Sequence, residues 1–340
     1  MIIKSVNLDA IVFNFKKLKK IKNKIIFPVV KNNAYGNGAV GIINELTKEF
    51  SIPYFCVASV DEIKDKNLLK KTTANFLVFD TPKRFIDSER ITYSINDKKD
   101  LFKILKLNHR KVHIYFDVGH GRGSITSLDE VKNIYDLCAD YDIYVEGIYT
   151  HIRSYNDKIA LDKIKEIFSF FESRVRYLHA VSSECLGLNL GNSIRIGSAL
   201  FGDGLNEGFR QAISIYTKIR RTVKVKSGDT FGYEPGLIAS ENGYVFELDT
   251  GYHDGFLKEF AGLTLLVDGD LLPITNAVTM NKVYIFSKKK YKTGTKVYVT
   301  KPVKHPINAF VKDVFYGPAL PIVFHETFVK WERDSDEKNS

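Results

Sequence analysis

Eight short runs of β-branched and aromatic residues, most of them separated by segments of helical period, fill the first two-thirds of this 340-residue chain. The runs are IIFPVV, YFCVAS, NFLVFD, ITYSI, KVHIYFDV, IYVEGIYTHI, YLHAVSS and SIRIGSALFG. Between them lie amphipathic stretches such as AVGIINELTKEF, VDEIKDKNLLKK, SLDEVKNIYDLCADY and DKIALDKIKEIFSFFESRV. Apolar strands alternating with helices are the pattern of a parallel sheet covered on both faces, and eight such units suit a closed (β/α)8 barrel. Past about Gly202 the rhythm changes. QAISIYTKIRRTVKVKSGDTFGY, GYVFELDTGYHDGF, LTLLVDGDLLPITNAVTM, KVYIF and KVYVTKPV alternate without helices, punctuated by Gly-Asp and Asp-Gly pairs. That reads as antiparallel sheet. The expected fold is α/β: a (β/α)8 barrel over residues 1–207, then a mainly antiparallel β domain over 208–335 with room for the N-terminal strand. DEKNS at the end is expected to fray.

Composition narrows the function classes. The net charge is +10, but the lysines are scattered singly through helical and strand patterns, with no nucleic-acid module around them. A solvated surface is expected, and no nucleic-acid partner. Cys56, Cys138 and Cys185 are odd in number and unpatterned, which suits reduced thiols and no metal site. The N-terminus lacks a signal-peptide pattern and no apolar run reaches membrane-spanning length. A cytoplasmic protein without a membrane partner is the expectation.

In a parallel barrel the chemistry collects at the C-terminal ends of the strands. Polar residues stand at several such ends: Lys31 after FPVV, Arg122 after YFDVGHG, His151 after GIYT, Ser182 and Ser183 after LHAV, and Arg195 in SIRIG. Lys31 is the residue to explain. Most strand-end lysines snorkel to water, and a buried ammonium is costly unless paired, neutralised or used covalently. A lysine, two arginines and Gly-rich turns around one mouth suit a phosphate and a carboxylate. A lysine engaged as a Schiff base also removes the burial penalty, and pyridoxal 5'-phosphate meets all of these demands.

At this point the motifs resemble those of the alanine racemase family, the fold-type III pyridoxal-phosphate enzymes. VVKNNAYGNGA is similar to the family's VVKANAYGHG, FDVGHGRGSI to VDTGMGRxG, and GIYTHIRSYND to GLMTHFAxAD. IRIGSALFG is similar to xRPGIALYG, LDTGYHDGF to VPVGYADGY, and LLPITNAVTMN to RVPVVGRVSMD, all in the same order. The resemblance implies an amino-acid racemase that interconverts L- and D-alanine for peptidoglycan precursors, as a homodimer with shared active sites. It implies Lys31 as cofactor lysine and first base, and Tyr252 of the partner subunit as second base. Arg195 would hydrogen-bond the pyridine nitrogen and His151 would buttress Arg195 and Tyr252. Arg122 and the Met280 backbone N–H would hold the substrate carboxylate. Tyr35, Ser183, Gly197, Ser198 and Tyr316 would hold the phosphate.

Taken singly, each residue also has a bland reading: Tyr252 as a core aromatic, His151 as a structural histidine, Arg195 as a surface ion pair. The chain also departs from the family's pattern. Tyr115 stands where many members have a carbamylated lysine, Ala277 where there is a corridor arginine, Asn281 where there is an acid, and Ser182 where there is asparagine. These departures leave open a racemase of another amino acid such as serine, or a weak homologue that binds the cofactor.

Overall fold

The computed structural model describes residues 2–80, 84–152, 154–202, 208–254, 256, 264–299 and 328–332. These fall into two compact units, residues 11–200 on the one hand and residues 2–10 with those from 201 onward on the other. The chain opens on β1 (Ile3–Asn7) and α1 (Leu8–Lys22). It continues through β2 (Ile25–Pro28), α2 (Lys31–Gly36), α3 (Ala39–Glu49), β3 (Phe55–Val57), α4 (Val60–Asp65) and α5 (Leu68–Lys71). Then come β4 (Phe76–Val78), β5 (Ile91–Ile95), α6 (Lys98–Ile104), β6 (Lys111–Tyr115), α7 (Leu128–Asp140) and β7 (Tyr144–Tyr149). The unit of residues 11–200 ends with α8 (Lys158–Phe171), β8 (Tyr177–His179) and β9 (Ser193–Ile196).

Each of the eight apolar runs supplies one strand. They form one parallel sheet in the order β2-β9-β8-β7-β6-β5-β4-β3. A parallel bridge between Val29 and Cys56 joins the two end strands and closes the barrel. Burial on both sides explains why these runs read as continuous apolar stretches. Three surrounding helices start on capping boxes, Ser59 with Glu62, Asp97 with Asp100 and Ser127 with Glu130, which satisfy otherwise orphaned N–H groups. The single stretch VDEIKDKNLLKK is broken into α4 and α5 because Asn67 takes a left-handed conformation (φ 51°). No helix among the described residues is long and apolar enough to cross a membrane.

The other unit is antiparallel apart from one pairing. Its strands are β10 (Ile213–Val225), β11 (Thr230–Phe231), β12 (Leu237–Ile238), β13 (Gly243–Leu248), β14 (Thr264–Val267) and β15 (Asp270–Pro273). They are followed by β16 (Val283–Ser287), β17 (Lys296–Val299) and β18 (Phe328–Glu332). The N-terminal strand β1 inserts between β10, antiparallel, and β18, parallel. Ile2, Ile215, Phe246, Leu265, Val283 and Val297 lie in its core.

Candidate active site

The chain does not continue from β2 into an ordinary helix. After Lys31, four consecutive non-glycine residues, Asn32, Asn33, Ala34 and Tyr35, sit in the left-handed region with φ between 52° and 56°. L-residues pay ~1–2 kcal/mol each for this conformation, asparagine least, so the turn must be held from outside. Two contacts do so. The Asn32 N–H donates to Glu62, whose carboxylate also accepts from Ala58 and Ser59 at 2.9 and 3.2 Å. Asn33 Oδ1 accepts from the Ala39 N–H at 3.0 Å, tying the turn to the start of α3.

The turn carries Tyr35 to β9. A Cβ built on Gly197 would collide with the Tyr35 hydroxyl, so any larger residue here would have to displace the Tyr35 ring. The Ser183 hydroxyl accepts from the backbone N–H groups of Gly197 (3.0 Å) and Ala199 (3.3 Å), leaving its own O–H to donate. Tyr35, Ser183, Gly197 and the neighbouring Ser198 therefore converge on one locality.

Lys31 is half-buried, with its Nζ 6.0 Å from the Tyr35 ring centroid. Burial lowers its pKa first, and the Arg122 guanidinium lowers it further, against the opposing pull of Glu62 and Asp80. His151 feels the same field. Burial, then Arg195 and Arg122, bring it down to about 3, so it is neutral at working pH. Its ring packs on His120 at 5.0 Å.

Arg195 is buried on β9. Its Nη1 lies 2.7 Å from His179 Nδ1 and 2.8 Å from the His179 carbonyl, and its Nη2 donates to the Thr150 carbonyl at 2.6 Å. Among the described residues no hydrogen bond joins it to His151, the buttress that the resemblance implies; its hydrogen bonds go to His179 and Thr150, while its charge acts on His151. His179 escapes a search of strand ends because it is the last residue of β8 itself, inside an apolar run.

Arg122 is exposed, on a loop organised by Asp117. The Asp117 carboxylate accepts from the backbone N–H groups of Gly119 (2.6 Å), His120 (2.7 Å) and Arg122 (2.5 Å). Burial alone would raise its pKa, but these bonds outweigh it and hold the carboxyl at about 2. Tyr115 reaches the same carboxylate with its hydroxyl at 3.4 Å. The signal for this second omitted residue was available: aspartate ahead of Gly-x-Gly favours an Asx turn.

Tyr252 and Met280 belong to the antiparallel unit and come together there. The Tyr252 N–H donates to the Thr279 carbonyl (3.0 Å) and the His253 N–H to the Met280 carbonyl (2.9 Å). A Cβ on Gly251 would strike the Thr279 and Met280 carbonyls, so the two loops touch through a glycine. Both side chains are exposed. Ala277 is fully buried with Val225, Leu237, Ala239 and Val245 and leaves no room for an arginine. Tyr316 lies outside the described residues.

With this geometry in view, comparisons with known proteins agree on one family. The alanine racemase N-terminal domain matches residues 6–204 and the alanine racemase C-terminal domain matches residues 212–313. Alanine racemase of Streptococcus equi subsp. zooepidemicus (strain H70) is 26% identical over 325 residues, covering 86% of each chain. The fold resembles crystal structures of alanine racemase from E. faecalis (TM-score 0.78, 21% identity, 97% of this chain and 98% of that one). It also resembles the Bartonella henselae alanine racemase, described with covalently bound pyridoxal phosphate (TM-score 0.75, 18% identity, 98% and 99% covered). On the match of both domains in order, the chain belongs to the alanine racemase family of isomerases.

Proposed function

We propose that this protein is a pyridoxal-phosphate-dependent racemase of alanine, working in the cytoplasm as a homodimer with shared sites and supplying D-alanine for peptidoglycan precursors. The observation that carries the reading is the convergence of a half-buried lysine with a lowered pKa, the Tyr35 ring beside it, and the Ser183 hydroxyl that the Gly197 and Ala199 N–H groups orient.

The residues present fit the cofactor. Tyr35, Ser183 and Ser198 carry hydroxyls suited to a phosphate, and Gly197, whose own N–H is taken by Ser183, leaves the space for Tyr35 beside them. Lys31, Arg122 and Arg195 create a positive field that favours an anionic ligand. The lowered pKa of Lys31 suits an amine that must be unprotonated to attack an aldehyde. Bound pyridoxal phosphate would supply that aldehyde and an electron-withdrawing ring that acidifies the Cα–H of an attached amino acid.

The chain's own residues do the rest. Arg195 has donors only, so it would address the ring nitrogen without protonating it and would limit the electron withdrawal. Arg122 and the Met280 N–H would hold the substrate carboxylate. Lys31 Nζ would move the proton on one face of Cα, and the phenol of Tyr252 of the partner subunit would move it on the other. His151, neutral, would pack beside this pair without adding charge.

The test is borohydride reduction of the cofactor-loaded protein, peptide mapping, and a racemisation screen over the common amino acids. Label on Lys31 with alanine turned over fastest is expected. Label elsewhere sinks the lysine assignment, and faster turnover of serine moves the substrate assignment.

A further inference from the structure

Arg195 is the first member of a buried polar chain that crosses the barrel interior. Arginine carries no acceptor, so the 2.7 Å contact between its Nη1 and His179 Nδ1 requires Nδ1 to be unprotonated. Burial and the nearby Arg195 hold His179 well below its ordinary pKa, so the ring is neutral and its one proton sits on Nε2. That Nε2 lies 2.9 Å from His113 Nδ1, which must therefore accept. His113 is also neutral, through burial, and its proton is forced onto Nε2 in turn. His113 Nε2 has no hydrogen-bond partner among the described residues and stands 3.8 Å from Glu146 Oε2.

The far end is an anion. Burial would raise the pKa of Glu146, but His113 and Tyr54 outweigh it and the pKa is lowered. The Tyr54 hydroxyl donates to Glu146 and accepts from Thr92 at 3.1 Å. The other charges facing this carboxylate are Arg176, with Nη1 3.6 Å from Oε1, and Lys111. Every proton in the chain thus points from the guanidinium toward the carboxylate. The packing is specific to this arrangement. Tyr149 stacks on His179 with centroids 4.7 Å apart and rings inclined by 4°. A Cβ on Gly147 would strike the His113 ring.

We propose that Glu146 is a positioning residue for Arg195. Arg195 sets the His179 tautomer from one end, and the carboxylate that His113 Nε2 faces at 3.8 Å favours the same tautomer from the other, which holds the two rings and so the guanidinium in one orientation. Which nitrogen of a histidine accepts is set by what the other nitrogen faces, and here two rings pass that choice across the barrel. The inference rests on the reading above only in taking Arg195 to face the cofactor ring. The chain itself involves residues of the barrel alone.

The experiment is 15N NMR of histidine-labelled protein without cofactor, comparing the parent with Glu146→Gln and Glu146→Asp. In the parent at neutral pH, His113 and His179 should each show a single Nε2–H tautomer. Glu146→Gln keeps the shape and removes the charge, and should give mixed tautomers at His113, the ring that faces it, while Glu146→Asp should restore the single form in part. In the cofactor-loaded protein, Glu146→Gln should lower kcat about tenfold with KM changed less than about twofold. A merely structural carboxylate would lower the melting temperature and leave tautomers and kcat alone, which would overturn the proposal. If Glu146→Gln does not fold, the Asp variant decides, since unchanged tautomers and kcat there would overturn the proposal equally. Locked tautomers with no borohydride label on Lys31 would instead count against the functional reading.

Discussion

The Tyr35 hydroxyl stands in the space that a Cβ on Gly197 would enter. That hypothetical Cβ would also lie 3.0 and 3.1 Å from two atoms of the Tyr35 ring, so sliding the hydroxyl aside does not relieve the clash. Tyr35 is itself held at the end of the left-handed turn. Gly197→Ala should therefore push Tyr35 and the Ser183-bound backbone apart and weaken cofactor binding by about 1–3 kcal/mol, the usual size of an overpacking penalty. Fluorescence titration with pyridoxal phosphate measures it. Unchanged affinity in the single variant would remove Gly197 from the site.

Asn33 serves the turn twice, as a residue tolerant of left-handed φ and as the acceptor for the Ala39 N–H at 3.0 Å. Asn33→Ala loses both. The hydrogen bond to Ala39 is worth ~1 kcal/mol and the conformational preference adds to it, so a fall of roughly 1–2 kcal/mol in unfolding free energy is expected. Asn33→Gly keeps the backbone freedom and should lose only the hydrogen bond. Equal losses for the two variants, read from urea midpoints, would mean the turn carries no strain.

The barrel was legible because its eight strands are apolar throughout and its helices amphipathic, so two periods alternate in the sequence. The strand-end rule also singled out Lys31, Arg122, His151, Ser183 and Arg195 as candidates. It could not find His113, His179 or Glu146. His113 and Glu146 lie within β6 and β7 and His179 ends β8, all three buried inside the apolar runs KVHIYFDV, IYVEGIYT and YLHAV, where a polar residue reads as an interruption. Their meaning depends on three neighbouring strands, β6, β7 and β8, brought side by side from separate parts of the chain, which is long-range information. The same holds for the turn after Lys31. An Asn-Asn pair signals a turn, but four successive left-handed residues follow only from contacts to Glu62 and Ala39, one of them 30 positions away.

Tyr115 tests how Arg122 is held. Burial, with Asp117 beside it, pushes the phenol up to about 12, so it is neutral at working pH and carries no carbamate. Its 3.4 Å contact to Asp117 is at the weak end for a hydrogen bond. The Arg122 loop instead hangs on backbone donors to Asp117. Tyr115→Phe should raise KM less than about fivefold, the worth of ~1 kcal/mol, and activity should not depend on bicarbonate. Asp117→Ala removes an acceptor of charge-assisted bonds and should raise KM tenfold or more, at ~1.5–3 kcal/mol. The reverse ranking, or inactivation on removing bicarbonate, would show that another group braces Arg122.

Acid should destabilise this protein earlier than a carboxylate count suggests, because of its buried histidines. His151 is held at about 3, and burial also lowers His113 and His179. In the unfolded chain each would titrate near ~6.5. Below that pH the unfolded state binds protons that the folded state refuses, so more protons are bound in U than in N and stability rises with pH. Stability is therefore complete above ~6.5 and falls as the pH drops below it, by up to ~1.4 kcal/mol per histidine per pH unit. Asp117 acts in a lower window, since its carboxyl, held at about 2, contributes stability that is lost only as the pH falls below ~4. Urea unfolding at pH 7.5 and 5.5 should show a drop of several kcal/mol in the parent. His151→Asn should shrink that drop by about 1 kcal/mol, and a parent equally stable at both pH values would mean these rings accept protons in the folded state.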